Sequence, residues 1–233
     1  MIINNKSPDY LEYRFMLNKI DFKNIQAVIW DWNGTLLDDV EVSILAMNQM
    51  LEKRNYQHLD TKKYKSIFTF PVKDYYTAAG VDFENHDWKT LAMEFITNYR
   101  ESVLQSGLHA SVPAVLKFFK SRQIRQFILS AMEQDFLEET IRLRKIENYF
   151  EQIVGLNNHY AATKTETAQL LVKEINLQLD KICMVGDTIH DFEVAREAGI
   201  GCVLVADGHQ SRERLETTGC LVVSTLEDLL TLW

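Results

Sequence analysis

The chain has 233 residues, of which 46% are hydrophobic, so it can bury a sizeable core and is not expected to be disordered. Its 25 Lys and Arg against 33 Asp and Glu give a formal net charge of −8, which argues against nucleic acid as a partner. The three cysteines lack metal-ligand spacing, the N-terminus lacks a secretory pattern, and no apolar run approaches the ~18 residues that span a bilayer. We therefore expect a cytoplasmic protein without a disulfide, a zinc site or a membrane partner.

An N-terminal extension and a buried strand come first along the chain. Ser7 followed by Pro8 is typical of a helix N-cap with proline at the first helical position, so residues 1–24 are predicted to form a helical extension. The run QAVIWD at 26–31 is almost continuously apolar, as strands covered on both faces are.

Residues 37–112 then show helical patterns almost throughout. The segments EVSILAMNQMLEKRN and DWKTLAMEFITNYRESVLQSG repeat their apolar residues at the ~3.6-residue period of an amphipathic helix. Because a structureless loop of this length is uncommon in a compact domain, we interpret residues 37–112 as an inserted, all-helical cap.

The rest of the chain alternates short apolar runs with helical segments. This alternation predicts an α/β core, made of residues 1–36 and 113–233, in which helices cover both faces of a parallel sheet. Ligands of such sheets bind beyond the carboxyl ends of the strands. The remaining strands are predicted at 125–131, 151–157, 181–187, 200–206 and 220–224.

Carboxylates directly follow two of these strands. Asp31 ends the first strand, where an aspartate can serve simply to cap the turn. Asp187 ends the strand at 181–187 and Asp191 lies four residues on, where the two could also cap a helix and favour its first turn. If the strands are neighbours, the three carboxylates converge, and like charges so close call for a cation. A hard divalent ion, with Mg²⁺ as the best fit, is therefore predicted at this edge of the sheet.

Lys164 and Ser130 are further candidates. Lys164 lies in the first turn of a helix that Thr163 and Glu166 open as a capping box. The positive end of the helix dipole disfavours a lysine there, which suggests an anionic partner, although a solvated surface lysine is the simpler alternative. Ser130 is the last residue of the strand segment FILS. Its hydroxyl could donate to a phosphoryl oxygen, or Ser130 could be an ordinary turn residue.

Taken in order, DWNGTLLD from Asp31, then Ser130, Lys164 and GDTIHD around Asp187 resemble the four motifs of the haloacid dehalogenase superfamily. The resemblance covers about residues 25–210, and the helical insertion falls where that superfamily's first type of cap lies. The nearest branch is the phosphoglycolate phosphatase-like one. The resemblance implies a Rossmann-like α/β fold and a Mg²⁺-dependent phosphatase that acts on a small phosphorylated metabolite.

The resemblance also implies roles for the motif residues. Asp31 would attack phosphorus and form an aspartyl-phosphate, which splits the transfer into two displacements. Ser130 and Lys164 would hold the phosphoryl oxygens, with Lys164 also orienting Asp31, and lysine and Mg²⁺ would offset the charge of the transferred group. The ligands implied for Mg²⁺ are the side chains of Asp31 and Asp187, the backbone carbonyl of Asn33 and, as an indirect support, Asp191.

Asn33 departs from the pattern of these phosphatases, which carry an aspartate there to protonate the leaving group and activate water. An amide cannot move a proton, and the loss of such help typically costs ~10²–10⁴ in rate. The backbone carbonyl remains available to the metal, so binding would survive, and Asn33 is still expected to lie at the substrate. Another group, such as His190 or a cap residue, could then move the proton in a slower phosphatase.

Two other functions remain open. The motif also resembles that of the phosphonoacetaldehyde hydrolases, Asp-Trp-Ala-Gly-Thr, which cleave a C–P bond with a cap lysine as Schiff base, and Lys53 and Lys73 are candidates for that lysine. Alternatively, the chain could bind phosphate and metal with little turnover, in a regulatory role.

The cap segment from Phe68 to Tyr76 joins a turn to several aromatic residues and one cation. We expect it to face the active site, with Lys73 binding an acidic leaving group, although the aromatic residues could instead pack between cap helices. The loop at 208–211 could line the same pocket. The sequence is compatible with a monomer or a homodimer.

Overall fold

A computed structural model of the chain describes residues 20–156 and 163–233. The predicted helix at Ser7 and Pro8 lies outside these residues. Six parallel strands form one sheet in the order β3-β2-β1-β4-β5-β6, which confirms the predicted α/β core. The strands are β1 (Ala27–Trp30), β2 (Arg125–Glu133), β3 (Gln152–Leu156), β4 (Ile182–Gly186), β5 (Gly201–Val205) and β6 (Leu221–Val223).

Within the described residues, four helices lie between β1 and residue 104, and five more accompany the sheet. The first group is α1 (Val40–Glu52), α2 (Thr61–Ile67), α3 (Val72–Ala78) and α4 (Trp88–Val103). The second is α5 (Val112–Ser121), α6 (Gln134–Leu143), α7 (Lys164–Ile175), α8 (Ile189–Ala198) and α9 (Arg212–Glu216). Short 3₁₀ turns occur at Phe22–Asn24, Glu147–Tyr149, Leu179–Lys181 and Leu226–Thr231. No helix in the described ranges is long and apolar enough to cross a membrane.

Helices cover both faces of the sheet. Successive side chains of a strand point to opposite faces, and β1 contributes Trp30 to the hydrophobic cluster of α5 and α6 but Ile29 to that of α7 and α8. Both side chains are completely buried. The continuous apolar run that predicted a doubly covered strand is therefore explained.

The four helices before α5 have a hydrophobic cluster of their own, with residues such as Met47 of α1, Tyr75 of α3 and Leu91 of α4. The two segments that connect these helices to the sheet run side by side, because Leu37 forms an antiparallel bridge with Leu108. The inserted cap is thus a helical layer with its own core. The boundaries 37 and 112 remain predictions.

Strand β2 differs from expectation at its end. It continues to Glu133, and its register with β3 shifts between Leu129 and Glu133. Ser130 therefore lies within an irregular part of the strand and not at its last residue. Irregularities of this kind are common beside active sites, where they redirect side chains.

We predict a large difference between two leucines on neighbouring strands. Leu204 of β5 is fully buried, whereas Leu221 of the edge strand β6 is 40% exposed. Leu204→Ala leaves a cavity and is expected to lower the free energy of unfolding by about 2–5 kcal/mol. The matched Leu221→Ala change should cost less than about 1 kcal/mol. Urea unfolding of both variants measures the difference, and equal losses would contradict this packing.

Candidate active site

Asp31 and Asp187 lie side by side at the carboxyl edge of the sheet. Strands β1 and β4 are parallel neighbours with Trp30 opposite Val185, and the N–H of Asp31 donates to the Val185 carbonyl at 2.9 Å. The Thr35 hydroxyl lies 2.9 Å from Asp187 Oδ1 and 3.3 Å from Asp31 Oδ2. Both aspartates are buried, so their charges are held away from water.

The helices α7 and α8 add a lysine and a third carboxylate. Lys164, the first residue of α7, is buried, and its Nζ donates to Asp31 Oδ1 and, at 2.6 Å, to Asp191 Oδ1. Asp191 lies in the first turn of α8, where the N–H and hydroxyl of Thr188 donate to its other oxygen at 3.0 and 2.7 Å. Lys164 thus bridges two carboxylates that belong to different elements.

The carboxylates outnumber the lysine, and their pKa values respond to this imbalance. Burial raises the pKa of Asp31 to about 8, with repulsion from Asp191 and Asp187 adding to the rise and Lys164 opposing it. Burial also raises the pKa of Asp187 to about 6. Burial would raise the pKa of Asp191 too, but Lys164 holds it below its usual value. The cluster therefore lacks positive charge when all three carboxylates ionise.

A divalent cation would supply the missing charge. Oxygen atoms of Asp31, Asp187 and Asp191 all lie within 4.8 Å of one another. Carboxylate oxygens are the ligands that Mg²⁺ prefers, and a cation among them favours the ionised forms that burial disfavours. Like the other two aspartates, Asp191 accepts hydrogen bonds on both oxygens, from Lys164 and from Thr188. The residues present fit a magnesium ion.

Gly34 closes the turn that follows Asp31. Its φ is +72°, a left-handed backbone conformation that residues other than glycine rarely adopt. A Cβ atom at this position would also collide with the carboxylate of Asp187 and the ring of His209. Glycine is thus required here both by the backbone conformation and by the close approach of the neighbouring side chains.

The side chain of Asn33 is held on three sides. Its Nδ2 donates to Tyr99 Oη at 2.7 Å and to Asp39 Oδ2 at 3.0 Å, and its Oδ1 accepts from the Ser130 hydroxyl at 3.3 Å. An ionised carboxylate at position 33 would face the carboxylate of Asp39 and repel it. The amide is therefore matched to its neighbour Asp39.

Asp39 and His209 form a buried ion pair that the sequence analysis missed. His209 Nε2 lies 3.3 Å from Asp39 Oδ1, and the backbone N–H of His209 donates to Asp187 Oδ2 at 2.6 Å. Burial would lower the pKa of His209, but Asp39 and Asp187 raise it to about 9. Burial would raise the pKa of Asp39, but His209 and the donors Tyr99 and Asn33 hold it below its usual value.

The sequence offered only weak signals for this pair. Asp39 immediately precedes α1 and has the appearance of a helix N-cap, yet its side chain makes no capping hydrogen bond. Its carboxylate accepts instead from the Gly34 N–H at 2.7 Å. His209 belongs to the loop 208–211 that was predicted as a possible wall of the pocket, and it does line the cavity.

A cavity of about 460 Å³ extends from the carboxylate cluster to the cap. The predicted site residues that line it are Asp31, Asn33, Lys164, Asp187 and Asp191. The cap segment expected to face the site also reaches it, through Phe68, Phe70, Val72, Tyr75 and Tyr76. Ser130 is buried against Asn33, and its neighbours Ala131 and Met132 form the cavity wall there.

The structure does not bring the predicted cap lysines to this cavity. Lys73 is exposed, with its Nζ 5.1 Å from the centre of the Phe83 ring, because α3 turns its apolar side to the cavity. Lys53 is exposed and pairs with Glu94 at 2.8 Å. Within residues 20–156 and 163–233, Lys164 is the one lysine that lines the cavity. Lys73 therefore does not lie at the cavity, where the sequence analysis expected it to bind the leaving group.

His190 lies behind the cavity wall. Its ring packs on Phe70 with centroids 4.9 Å apart, and its Nδ1 lies 3.6 Å from a carboxylate oxygen of Glu193. Phe70 lines the cavity at this point, whereas His190 is not among the lining residues. This position does not suit proton transfer to a substrate.

The chain is similar in sequence to proteins of known family and activity. Residues 28–205 match a family described as haloacid dehalogenase-like hydrolase. Phosphoglycolate phosphatase 1 of Pseudomonas aeruginosa is 24% identical over 88% of this chain and 78% of its own length. An N-acetylmuramic acid 6-phosphate phosphatase of Pseudomonas putida is 23% identical over 79% of this chain and 84% of its own.

Solved structures agree with the fold. A haloacid dehalogenase-like family hydrolase of Streptococcus pneumoniae superposes with a TM-score of 0.75. The superposition covers 90% of this chain and 98% of that one at 17% identity. At this level of identity the similarity concerns the architecture, which is the parallel sheet with its helices.

We predict that Asp39 is far more important for stability than its neighbour Asp38. Asp39→Asn leaves the buried His209 cation without its carboxylate, and loss of one partner of a buried pair typically costs about 3–5 kcal/mol. Asp38 is exposed, so Asp38→Asn should change the free energy of unfolding by less than about 0.5 kcal/mol. Denaturant unfolding of the two variants tests this, and similar stabilities would rule out an ion pair of structural importance.

Proposed function

The chain belongs to the haloacid dehalogenase-like hydrolases and is a phosphatase within that family; we propose that it requires Mg²⁺ and hydrolyses a small phosphorylated metabolite through an aspartyl-phosphate. The observation that carries the proposal is the buried cluster of Asp31, Asp187, Asp191 and Lys164 at one end of a cavity large enough for a metabolite. Three carboxylates and one lysine in so small a volume suit a site that receives a cation and a phosphoryl group.

Asp31 is the proposed nucleophile. Its Oδ1 accepts from Lys164, which orients the carboxylate, so Oδ2 is the atom proposed to attack. A bond forms between Oδ2 and phosphorus while the bond from phosphorus to the leaving oxygen breaks. Water then attacks the phosphorus of the aspartyl-phosphate, which restores Asp31 and releases inorganic phosphate.

The other site residues are proposed to bind and position. Lys164 and the hydroxyl of Ser130 would hold phosphoryl oxygens, and Asn33 would contribute to substrate binding. When bound, Mg²⁺ would offset negative charge on the transferred group. Its proposed ligands are the side chains of Asp31 and Asp187 and the backbone carbonyl of Asn33, with Asp191 as an indirect support.

Of the two alternative functions, C–P bond cleavage has less support from the structure than phosphate binding with little turnover. Cleavage of a C–P bond through a Schiff base needs a lysine at the substrate, and neither Lys53 nor Lys73 lines the cavity. A low-turnover role in phosphate binding retains one specific observation in its favour, because the amide of Asn33 cannot protonate a leaving group. Turnover is therefore expected to depend strongly on how good the leaving group is.

The similar proteins indicate the type of reaction more clearly than they indicate the substrate. Two of them are named for the phosphomonoesters phosphoglycolate and N-acetylmuramic acid 6-phosphate, whose leaving groups differ greatly in size. Both are only 23–24% identical to this chain. The similarity therefore supports hydrolysis of a phosphomonoester, while the leaving group must be inferred from the cavity itself.

We predict Mg²⁺-dependent hydrolysis of 4-nitrophenyl phosphate, whose good leaving group needs little help from an acid. Asp31→Asn removes the nucleophile and should lower kcat by roughly 10³-fold or more. Asp38→Asn, an exposed neighbour outside the cavity, is the control and should keep full activity. Steady-state rates with Mg²⁺ and with a chelator measure both effects. An active Asp31→Asn variant, or rates indifferent to Mg²⁺, would exclude the proposed mechanism.

A second prediction concerns position 33. Asn33→Asp supplies an acid but sets it against Asp39, so the variant should be less stable than the wild type. If turnover is limited by the missing acid at position 33, Asn33→Asp should raise kcat for an alkyl phosphate by up to ~10²–10⁴ and raise kcat for an aryl phosphate less. The ratio of the two rates is measured. An unchanged ratio would show that Asn33 does not limit turnover.

A further inference from the structure

The cavity has two chemically different ends. The end at the sheet carries the carboxylates and Lys164, whereas the end at the cap is walled mainly by rings. These rings come from the loop between α2 and α3, from α3, from α4 and from α6 of the core, and are those of Phe68, Phe70, Tyr75, Phe95, Tyr99 and Phe136. A leaving group attached to a phosphoryl group at Asp31 would extend into this aromatic end.

Part of the aromatic end is open to solvent. Ile96 of α4 lines the cavity and is nevertheless 43% exposed. Phe70 and Phe95, also in the wall, are only partly buried. Apolar side chains exposed within a concave site mark a surface that a ligand covers. The cap thus offers apolar contact area that the fold itself does not use.

Two of the three basic side chains that line the cavity are already paired with carboxylates. Lys164 is paired with Asp31 and Asp191, and His209 is paired with Asp39. Arg100 is exposed, with its guanidinium carbon 4.0 Å from the centre of the Phe136 ring. A guanidinium stacked in this way extends the aromatic wall and remains able to lie against the face of another ring.

The size of the cavity points in the same direction. Its volume of about 460 Å³ lies within the range of sites that enclose ligands of the size of a drug molecule. A two-carbon leaving group such as glycolate would fill little of it and would leave the rings of Phe70 and Phe95 facing water. A planar or broad apolar group would cover them.

We infer that the substrate is a phosphomonoester whose leaving alcohol carries an aromatic ring or a comparably broad apolar body, which the rings of the cap and Ile96 cover while the phosphoryl group lies at Asp31. This inference rests on the phosphatase activity proposed above.

Binding of phosphonates tests the inference without requiring turnover. Calorimetry with Mg²⁺ compares 3-phenylpropylphosphonate, propylphosphonate and 3-phosphonopropanoate on the full chain. Each buried methylene is worth roughly fourfold in affinity, so the phenyl compound should bind at least ~10-fold more tightly than propylphosphonate. The carboxylate compound should bind no better than propylphosphonate.

Two matched variants on α4 locate the contact. Ile96→Ala should weaken 3-phenylpropylphosphonate about fivefold and leave propylphosphonate unchanged, because it removes wall atoms beyond the phosphoryl end. Met93 is 53% exposed on the same helix but does not line the cavity, so Met93→Ala should change neither affinity.

Equal affinity for the phenyl and propyl compounds, including no binding of either, would overturn the inference. Tightest binding of 3-phosphonopropanoate, lost in Arg100→Gln, would overturn it in favour of an acidic leaving group. Hydrolysis of 4-nitrophenyl phosphate reports separately on the proposed function. A phenyl preference without hydrolysis would reject the phosphatase and keep the ligand class, and hydrolysis without a phenyl preference would do the reverse.

Discussion

The shortage of positive charge at the carboxyl edge of the sheet is the constraint on which the site depends. Parallel pairing of β1 with β4 forces Asp31 and Asp187 together, and α8 adds Asp191 from above the same edge. Lys164 neutralises only part of this charge, although it is buried and reaches two of the carboxylates. Such a cluster is costly to bury by itself. A divalent cation would complete the charge balance of the cluster, so the ion proposed for the reaction would also offset the cost of burying the carboxylates.

A second buried pair extends this network to the cap. His209 donates its backbone N–H to Asp187, pairs with Asp39 and lies 2.8 Å from the hydroxyl of Tyr64 on α2. The next residue, Gln210, donates to the backbone carbonyl of Phe68 at 2.8 Å. The loop after β5 therefore contacts the proposed metal ligands on one side and the wall of the substrate cavity on the other. A displacement of the cap would alter contacts on both sides, which links enclosure of the substrate to the geometry of the carboxylates.

Much of this could be predicted because it follows from local rules. Continuous apolar runs identified the strands, strand ends located Asp31 and Asp187, and the capping box of Thr163 with Glu166 located the start of α7. What failed depended on helix rotation and on contacts between distant segments. Lys73 and Tyr75 are two residues apart on α3, and only the packing of that helix decides that the tyrosine faces the cavity. The pair of Asp39 with His209 joins residues separated by 170 positions in sequence, with no local pattern to connect them.

The relation between Asn33 and Asp39 indicates how the chain differs from the superfamily pattern it resembles. The negative charge that the family pattern places at position 33, beside the proposed nucleophile Asp31, is found here on Asp39, which the Gly34 N–H, Asn33, Tyr99 and His209 all contact. Two of these contacts, those with Gly34 and Asn33, come from the turn that follows Asp31, while Tyr99 comes from the cap and also lines the cavity. The side-chain amide of Asn33 thus lies between the Asp39 carboxylate and the proposed reaction site. The carboxylate connects the turn after Asp31, the cap and the core. An amide at position 33 is therefore a consistent part of this site, since the charge it lacks is already placed one hydrogen bond away.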